Sequence, residues 1–224
     1  MKVFAHRGSS GRNPEMTEQA YLAAIEDGAA GFECDVRLSG DRQVVCIHDA
    51  NTKRVGTRKI RVSSSSLKEL REVANVITLE ELINIAIKSK RDLLIETKHP
   101  VAALGNIEVE VLKLLDKYSK QIQGSGIEII VMSFSWFAVK RISNKFQGCK
   151  VSKYYLPALL TRTNVAALGL DLVKRRPGLV AKLQAKGIRV FVWTVNKKSE
   201  LELCKELKID GVITDYPKRA VRNV

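Results

Sequence analysis

Three carboxylates and two histidines sit where apolar runs break into charge. Glu33 and Asp35 fall in Gly31-Phe32-Glu33-Cys34-Asp35-Val36, and Glu96 in Leu94-Ile95-Glu96-Thr97-Lys98. His6 and Arg7 follow Val3-Phe4-Ala5, and His48 follows Cys46-Ile47. Oxygen donors of this kind suit a hard divalent cation, Mg²⁺ or Ca²⁺, and no Cys/His set of zinc spacing is present. Acids merely paired with surface lysines and arginines are the plainer alternative. Against it, the strand carrying Glu33 and Asp35 has no basic residue between them. A histidine pair suits general acid and general base work near neutral pH. Arg7 offers a planar fork and Lys98 a point charge to anionic oxygen. Together these are the parts for cleaving a phosphodiester: cations offset charge developing on phosphate while a metal polarises its oxygens.

Such groups need elements that bring them together. Residues 3–5 are a short buried strand. Residues 8–14 form a loop, and Thr17 caps a helix with Ala20, Tyr21, Ala24 and Ile25 on one face, closed by Gly28. Residues 31–36 are the second strand, and period-two alternation puts Glu33 and Asp35 on one face. Gly40-Asp41 turns the chain into a hairpin strand at 43–47, ending at His48. Residues 50–66 are polar, basic and serine-rich, and are expected to be a mobile loop. Capping boxes at Ser66/Glu69 and Thr78/Glu81 open helices near 67–73 and 79–89. Strands then alternate with helices: strands at 92–96, 128–132, 149–152, weakly at 170–173, at 189–193 and 211–213; helices at 101–118, 136–146, 177–186, 199–207 and from Pro217.

Without the hairpin strand the count is about eight. That predicts a (β/α)₈ TIM barrel spanning 1–224 as a single domain, with one extra hairpin strand after strand two. An open doubly wound sheet seldom has eight units and carries a glycine-rich phosphate fingerprint, which is missing. In a barrel the active site lies at the C-terminal strand ends, where His6, Arg7, Glu33, Asp35, Glu96, Lys98, Phe134, Trp193 and Asp215 fall. His99 is assigned no role.

Composition restricts the rest. The net charge is +14 over 224 residues. The charge is spread and no nucleic-acid motif accompanies it, so a nucleic acid is not expected as partner. No apolar run reaches the ~20 residues that span a bilayer, and no aromatic cluster for interfacial docking stands out. Cys34, Cys46, Cys149 and Cys204 lack CxxC spacing and read as reduced, mostly buried thiols. A cytoplasmic location is expected, since Lys2 is followed by only three apolar residues and no signal peptide.

The sequence resembles the glycerophosphodiester phosphodiesterase family. The likeness runs through His6-Arg7-Gly8, Pro14-Glu15-Met16-Thr17, the strand with Glu33 and Asp35, Val44 to Asp49 with Arg54, Ile95-Glu96-Thr97-Lys98, Val192-Trp193-Thr194-Val195-Asn196 and Gly211 to Pro217. It implies a barrel that hydrolyses small-molecule glycerophosphodiesters to glycerol 3-phosphate and an alcohol. It implies metal ligation by Glu33, Asp35 and Glu96, acid/base work by His6 and His48, and phosphate binding by Arg7 and Lys98. The glycerol 2-hydroxyl attacks first in similar enzymes, giving a cyclic phosphate that water opens. Phe134 and Trp193 would line the glycerol end, with Glu15 near the metal or the catalytic groups and Asp215 in support. Met16 stands where the family often has Asn. A related phospholipase-type barrel acting on intact phospholipids at a membrane is the alternative. A silent phosphate-binding barrel would be expected to have lost an acid or a histidine, and none is lost.

Overall fold

In the computed structural model, residues 1–100 and 107–224 are described. Nine strands are joined in one sheet: β1 (Lys2–His6), β2 (Gly31–Leu38), β3 (Val44–Cys46), β4 (Asp92–Thr97), β5 (Ile129–Ser133), β6 (Gly148–Ser152), β7 (Val165–Gly169), β8 (Arg189–Trp193) and β9 (Gly211–Thr214). Eight are parallel neighbours, and β1 pairs with both β2 and β9, which closes the barrel. β3 lies outside the ring, antiparallel to β2 through Val36↔Cys46. The expected TIM barrel with one appended hairpin strand is therefore present.

Two apolar layers follow from strand alternation. Phe4, Leu94, Ile130, Cys149, Val165 and Phe191 fill the barrel, with the Phe4 and Phe191 rings 5.2 Å apart. Phe32, Cys34, Val36, Leu93 and Ile95 point outward beneath the helices. Glu33, Asp35 and Glu96 occupy the intervening positions and so face inward. Gly31 makes room at the barrel floor: a Cβ there would lie 2.7 Å from the Phe4 ring.

Local signals placed the helices. Thr17 accepts from Ala20 N–H at the start of Glu18–Glu26. Both capping boxes form, opening Leu67–Val73 and Leu79–Ser89. Shorter helices than expected occupy Trp136–Ser143 and Gly178–Gln184, and the helix expected at 199–207 is Lys198–Glu206. The expected 101–118 helix is seen as Ile107–Lys117, and its first six residues lie outside the described ones.

Three expectations fail. The sixth barrel strand is Val165–Gly169, not 170–173, which opens the helix Leu170–Arg175. The Ala166-Ala167 pair has weak strand propensity, but pairing with both β6 and β8 overrides it. Residues 50–66 are not a free loop. Val62 is buried against Val45, Ile47, Leu70 and Val73, and Thr52 and Ile60 bond across the loop. Lastly, the chain does expose a cluster of aromatic and aliphatic side chains, at 134–137 and 154–160.

Candidate active site

Strand register assembles the site. His6 is paired with Glu33 across β1 and β2, and Asp35 with Glu96 across β2 and β4. Donor atoms of Glu33, Asp35 and Glu96 all lie within 4.8 Å of one another, and all three residues are buried. Lys98 Nζ reaches Asp35 Oδ1 at 2.7 Å and Glu96 Oε1 at 2.6 Å. Arg7 Nε lies 2.8 Å from Asp35 Oδ2, yet the angles make no hydrogen bond, so both atoms are buried without one among the described residues. Glu33 Oε2 accepts from the Arg7 backbone N–H at 3.2 Å and lies 3.9 Å from His6 Nε2.

The turn after β1 is why Arg7 can do this. Arg7 is at φ 59° and Gly8 at φ 79°, both left-handed. A Cβ on Gly8 would fall 2.7 Å from the Ala20 backbone, so the helix Glu18–Glu26 sits directly on this turn.

The two histidines are held differently. His6 Nδ1 faces Asp215 Oδ1 at 2.6 Å. Asp215 in turn accepts from Ser10 Oγ and Asn196 Nδ2, at 3.1 and 2.6 Å. Burial pushes His6 down, but the Asp215 bond and the Glu33 charge outweigh it and hold His6 above the ordinary value. His48 Nδ1 faces Asp49 Oδ1 at 2.7 Å. Burial dominates there, and with Lys98 and Arg7 nearby His48 is pushed below its ordinary value.

The acids are also split. Burial and the neighbouring Asp35 charge push Glu33 up to about 8. Burial raises Glu96 too, with Asp35 adding to it. Asp35 goes down, because Lys98 and Arg7 overcome its burial.

Glu15 is not among the clustered carboxylates. Arg54 grips it with two bonds of 2.6 and 2.8 Å, and Arg7 reaches it at 3.2 Å. Arg54 also holds Asp49 at 2.8 Å. Glu15 thus ties the turn after β1 to the segment carrying His48. Met16 follows it at φ 54°, buried in the core. Asn tolerates that backbone better than Met, whose side chain offsets the strain by packing.

The mouth is a cavity of about 90 Å³ lined by His6, Arg7, Glu33, His48, Lys98 and Trp193, with Phe134 at its rim. Phe134 meets Trp193 edge-on at 5.7 Å. Trp193 Nε1 is buried with no hydrogen-bond partner among the described residues. The sequence reading missed Lys153, whose Nζ lies 5.2 Å from the Trp193 ring and which lines the same cavity. Its position one residue past β6 was the available signal. His99, given no role, binds the buried Glu108 at 2.8 Å.

The model of the glycerophosphoryl diester phosphodiesterase family matches residues 6–219. The chain belongs to that family. Its activity class is that of a phosphoric diester hydrolase. Over 246 residues it is 32% identical to the protein named "Probable glycerophosphodiester phosphodiesterase 1" of Mycobacterium tuberculosis, covering 97% of this chain and 90% of that one. It is similar to the crystal structure of a glycerophosphodiester phosphodiesterase from Thermotoga maritima, with a TM-score of 0.82 and 26% identity over 98% and 96% of the two chains. The fold also matches that of an Oleispira antarctica phosphodiesterase solved with sn-glycerol-3-phosphate, with a TM-score of 0.83 and 22% identity over 100% and 96%.

Proposed function

We propose that this chain hydrolyses glycerophosphodiesters to glycerol 3-phosphate and an alcohol, using a divalent cation, Mg²⁺ or Ca²⁺, and the His6/His48 pair. The single observation that carries this reading is the convergence of three buried carboxylates with two histidines whose protonation is pushed apart. The acid cluster fits a hard cation. Its oxygens are close enough to share one ion, Asp35 Oδ2 has no hydrogen bond among the described residues, and burial beside the Asp35 charge pushes Glu33 up to about 8. When bound, such an ion polarises a phosphate oxygen.

The remaining roles follow from position. Arg7 and Lys98 stand beside the acids and present cations to the phosphate. His48, lowered by burial, takes the proton of the attacking hydroxyl. His6, raised by Asp215 and Glu33, gives one to the departing alkoxide. Water then opens the cyclic phosphate with the roles exchanged. Phe134 and Trp193 border the glycerol, and the Trp193 indole N–H is free for one of its hydroxyls. We place this reaction on one barrel unit in the cytoplasm, in keeping with four buried free cysteines. Hydrolysis of intact phospholipids is not favoured: relatives at 32% and 27% identity are named for glycerophosphodiesters, while a human relative at 25% identity is named a lysophospholipase D.

The test is product analysis with glycerophosphocholine. Wild type should release glycerol 3-phosphate and choline. His6→Ala and His48→Ala should each lower kcat by ~10²–10⁴. Normal activity in the His48 variant would remove it from the acid/base pair.

A further inference from the structure

We propose that the rim formed by the loops and helices after β5 and β6 is a docking surface for an anionic lipid bilayer. It rests on observations outside the reacting groups and does not depend on the chemistry proposed above.

Residues 129–170 contain no Asp or Glu, but carry Lys140, Arg141, Lys145, Lys150, Lys153 and Arg162. The same stretch holds six of the ten large apolar side chains most open to solvent among the described residues. They are Phe134, Trp136, Phe137, Tyr154, Leu156 and Leu160. Phe137 is 84% exposed, Tyr154 73% and Leu156 64%. Nothing in the barrel core needs them. On the helix Tyr155–Leu159, Tyr155 and Leu159 pack inward while Leu156 and Leu160, four apart, point out.

The two segments form one face. Lys150 Nζ donates to Phe134 O at 2.5 Å and lies 5.2 Å from the Trp136 ring. Lys153 Nζ lies 6.0 Å from Phe134 and 5.2 Å from Trp193. Phe134 also borders the cavity, so the face is continuous with the mouth of the site. Exposed apolar groups in a monomer are usually scattered singly, whereas a contiguous set marks an interaction surface.

Charge selects the occupant. Lys153 is exposed just past the end of β6 and Lys140 on the helix after β5, and neither has a carboxylate partner among the described residues. Aromatic and aliphatic tips beside these cations match an interface whose inner part is apolar and whose outer part is anionic. Lysine stems reach outward to phosphate while rings enter between head groups. A protein partner of acidic surface would use the cations but leave these apolar tips unexplained. On a bilayer the face would turn the cavity mouth toward the lipid.

Vesicle sedimentation with the full chain tests this. The protein should pellet with vesicles of phosphatidylcholine mixed with phosphatidylglycerol and about tenfold less with phosphatidylcholine alone. Raising salt from about 0.1 M to about 1 M should release it, as the screening length falls from ~10 to ~3 Å. The Phe137→Ser/Leu156→Ser double variant should lose about tenfold in partitioning. A Lys140→Glu variant should lose roughly fivefold or more. Both should keep wild-type melting and hydrolysis of a soluble diester. Any of four results would overturn the proposal: no pelleting on either vesicle; anionic pelleting that survives the double apolar variant; binding to heparin but not to vesicles; or vesicle-independent self-association that the apolar variant abolishes.

Discussion

His6 and His48 differ less in type than in company. Asp215, itself fixed by Ser10 and Asn196, raises His6 above its ordinary value, while burial beside Lys98 and Arg7 lowers His48 below it. A bell-shaped pH profile of kcat/KM follows. Its acid limb comes from protonating His48, whose value lies below the ordinary one. Its alkaline limb comes from deprotonating His6, whose value lies above it. Asp215→Asn removes the charge that raises His6. The alkaline limb should move to lower pH, with kcat reduced by ~10–10²-fold and the acid limb unmoved. A pH titration of the variant checks this, and an unmoved alkaline limb would detach Asp215 from His6. The sequence placed Asp215 at a strand end. Its partner could not be read there, because 209 residues separate it from His6.

At the scale of elements, the turn after β1 and the helix on top of it act as one piece. Gly8 leaves 2.7 Å between its absent Cβ and the Ala20 backbone, and Ser9 N–H bonds Ala20 O at 2.8 Å. Backbone cannot swing aside as a side chain can. Gly8→Ala should therefore displace the turn that aims Arg7 and His6 and destabilise the fold by roughly 1–3 kcal/mol. Thermal melting together with glycerophosphodiester hydrolysis reads both effects. Melting like wild type would contradict the packing. Elements with strong local signals were legible in the sequence: the capping boxes at Ser66 and Thr78, the Thr17 cap, and the alternation that turned Glu33 and Asp35 one way. The sixth barrel strand was not. Its Val165-Ala166-Ala167-Leu168-Gly169 run has little intrinsic strand character and is held by neighbours far along the chain. The 50–66 segment misled for a related reason. Its polar composition hides Val62 and Thr52, which fix it only once β3 and Leu67–Val73 are in place.

For the whole molecule, the barrel concentrates buried negative charge at one end. Without a cation that end is under electrostatic load. Glu33 titrates near 8 in the fold, against an ordinary value of 4.5. The folded state then holds a proton that the unfolded chain has released, so metal-free stability should fall as pH rises from about 4.5 to about 8. A divalent cation removes this penalty. At about 100 times its Kd it should add about 2.7 kcal/mol, roughly 5–10 °C in Tm for a chain of this size. Calorimetric melting of chelator-treated protein at pH 5 and 8, with and without Mg²⁺ or Ca²⁺, checks the sign. Beyond the fold, the sequence placed the candidate residues at strand ends, and the structure brings His6, Arg7, Glu33, His48, Glu96 and Lys98 to one cavity. The sequence did not disclose the clamp of Arg7, Glu15 and Arg54, or the apolar rim beside Phe134, since both depend on which loops become neighbours.

The central claim is that Glu33, Asp35 and Glu96 hold a cation on which turnover depends. It is tested most directly by glycerol 3-phosphate release from glycerophosphocholine by enzyme stripped with EDTA and then given Mg²⁺ or Ca²⁺. Stripping should abolish release, and one of the two ions should restore it. Full release by the stripped enzyme would contradict it.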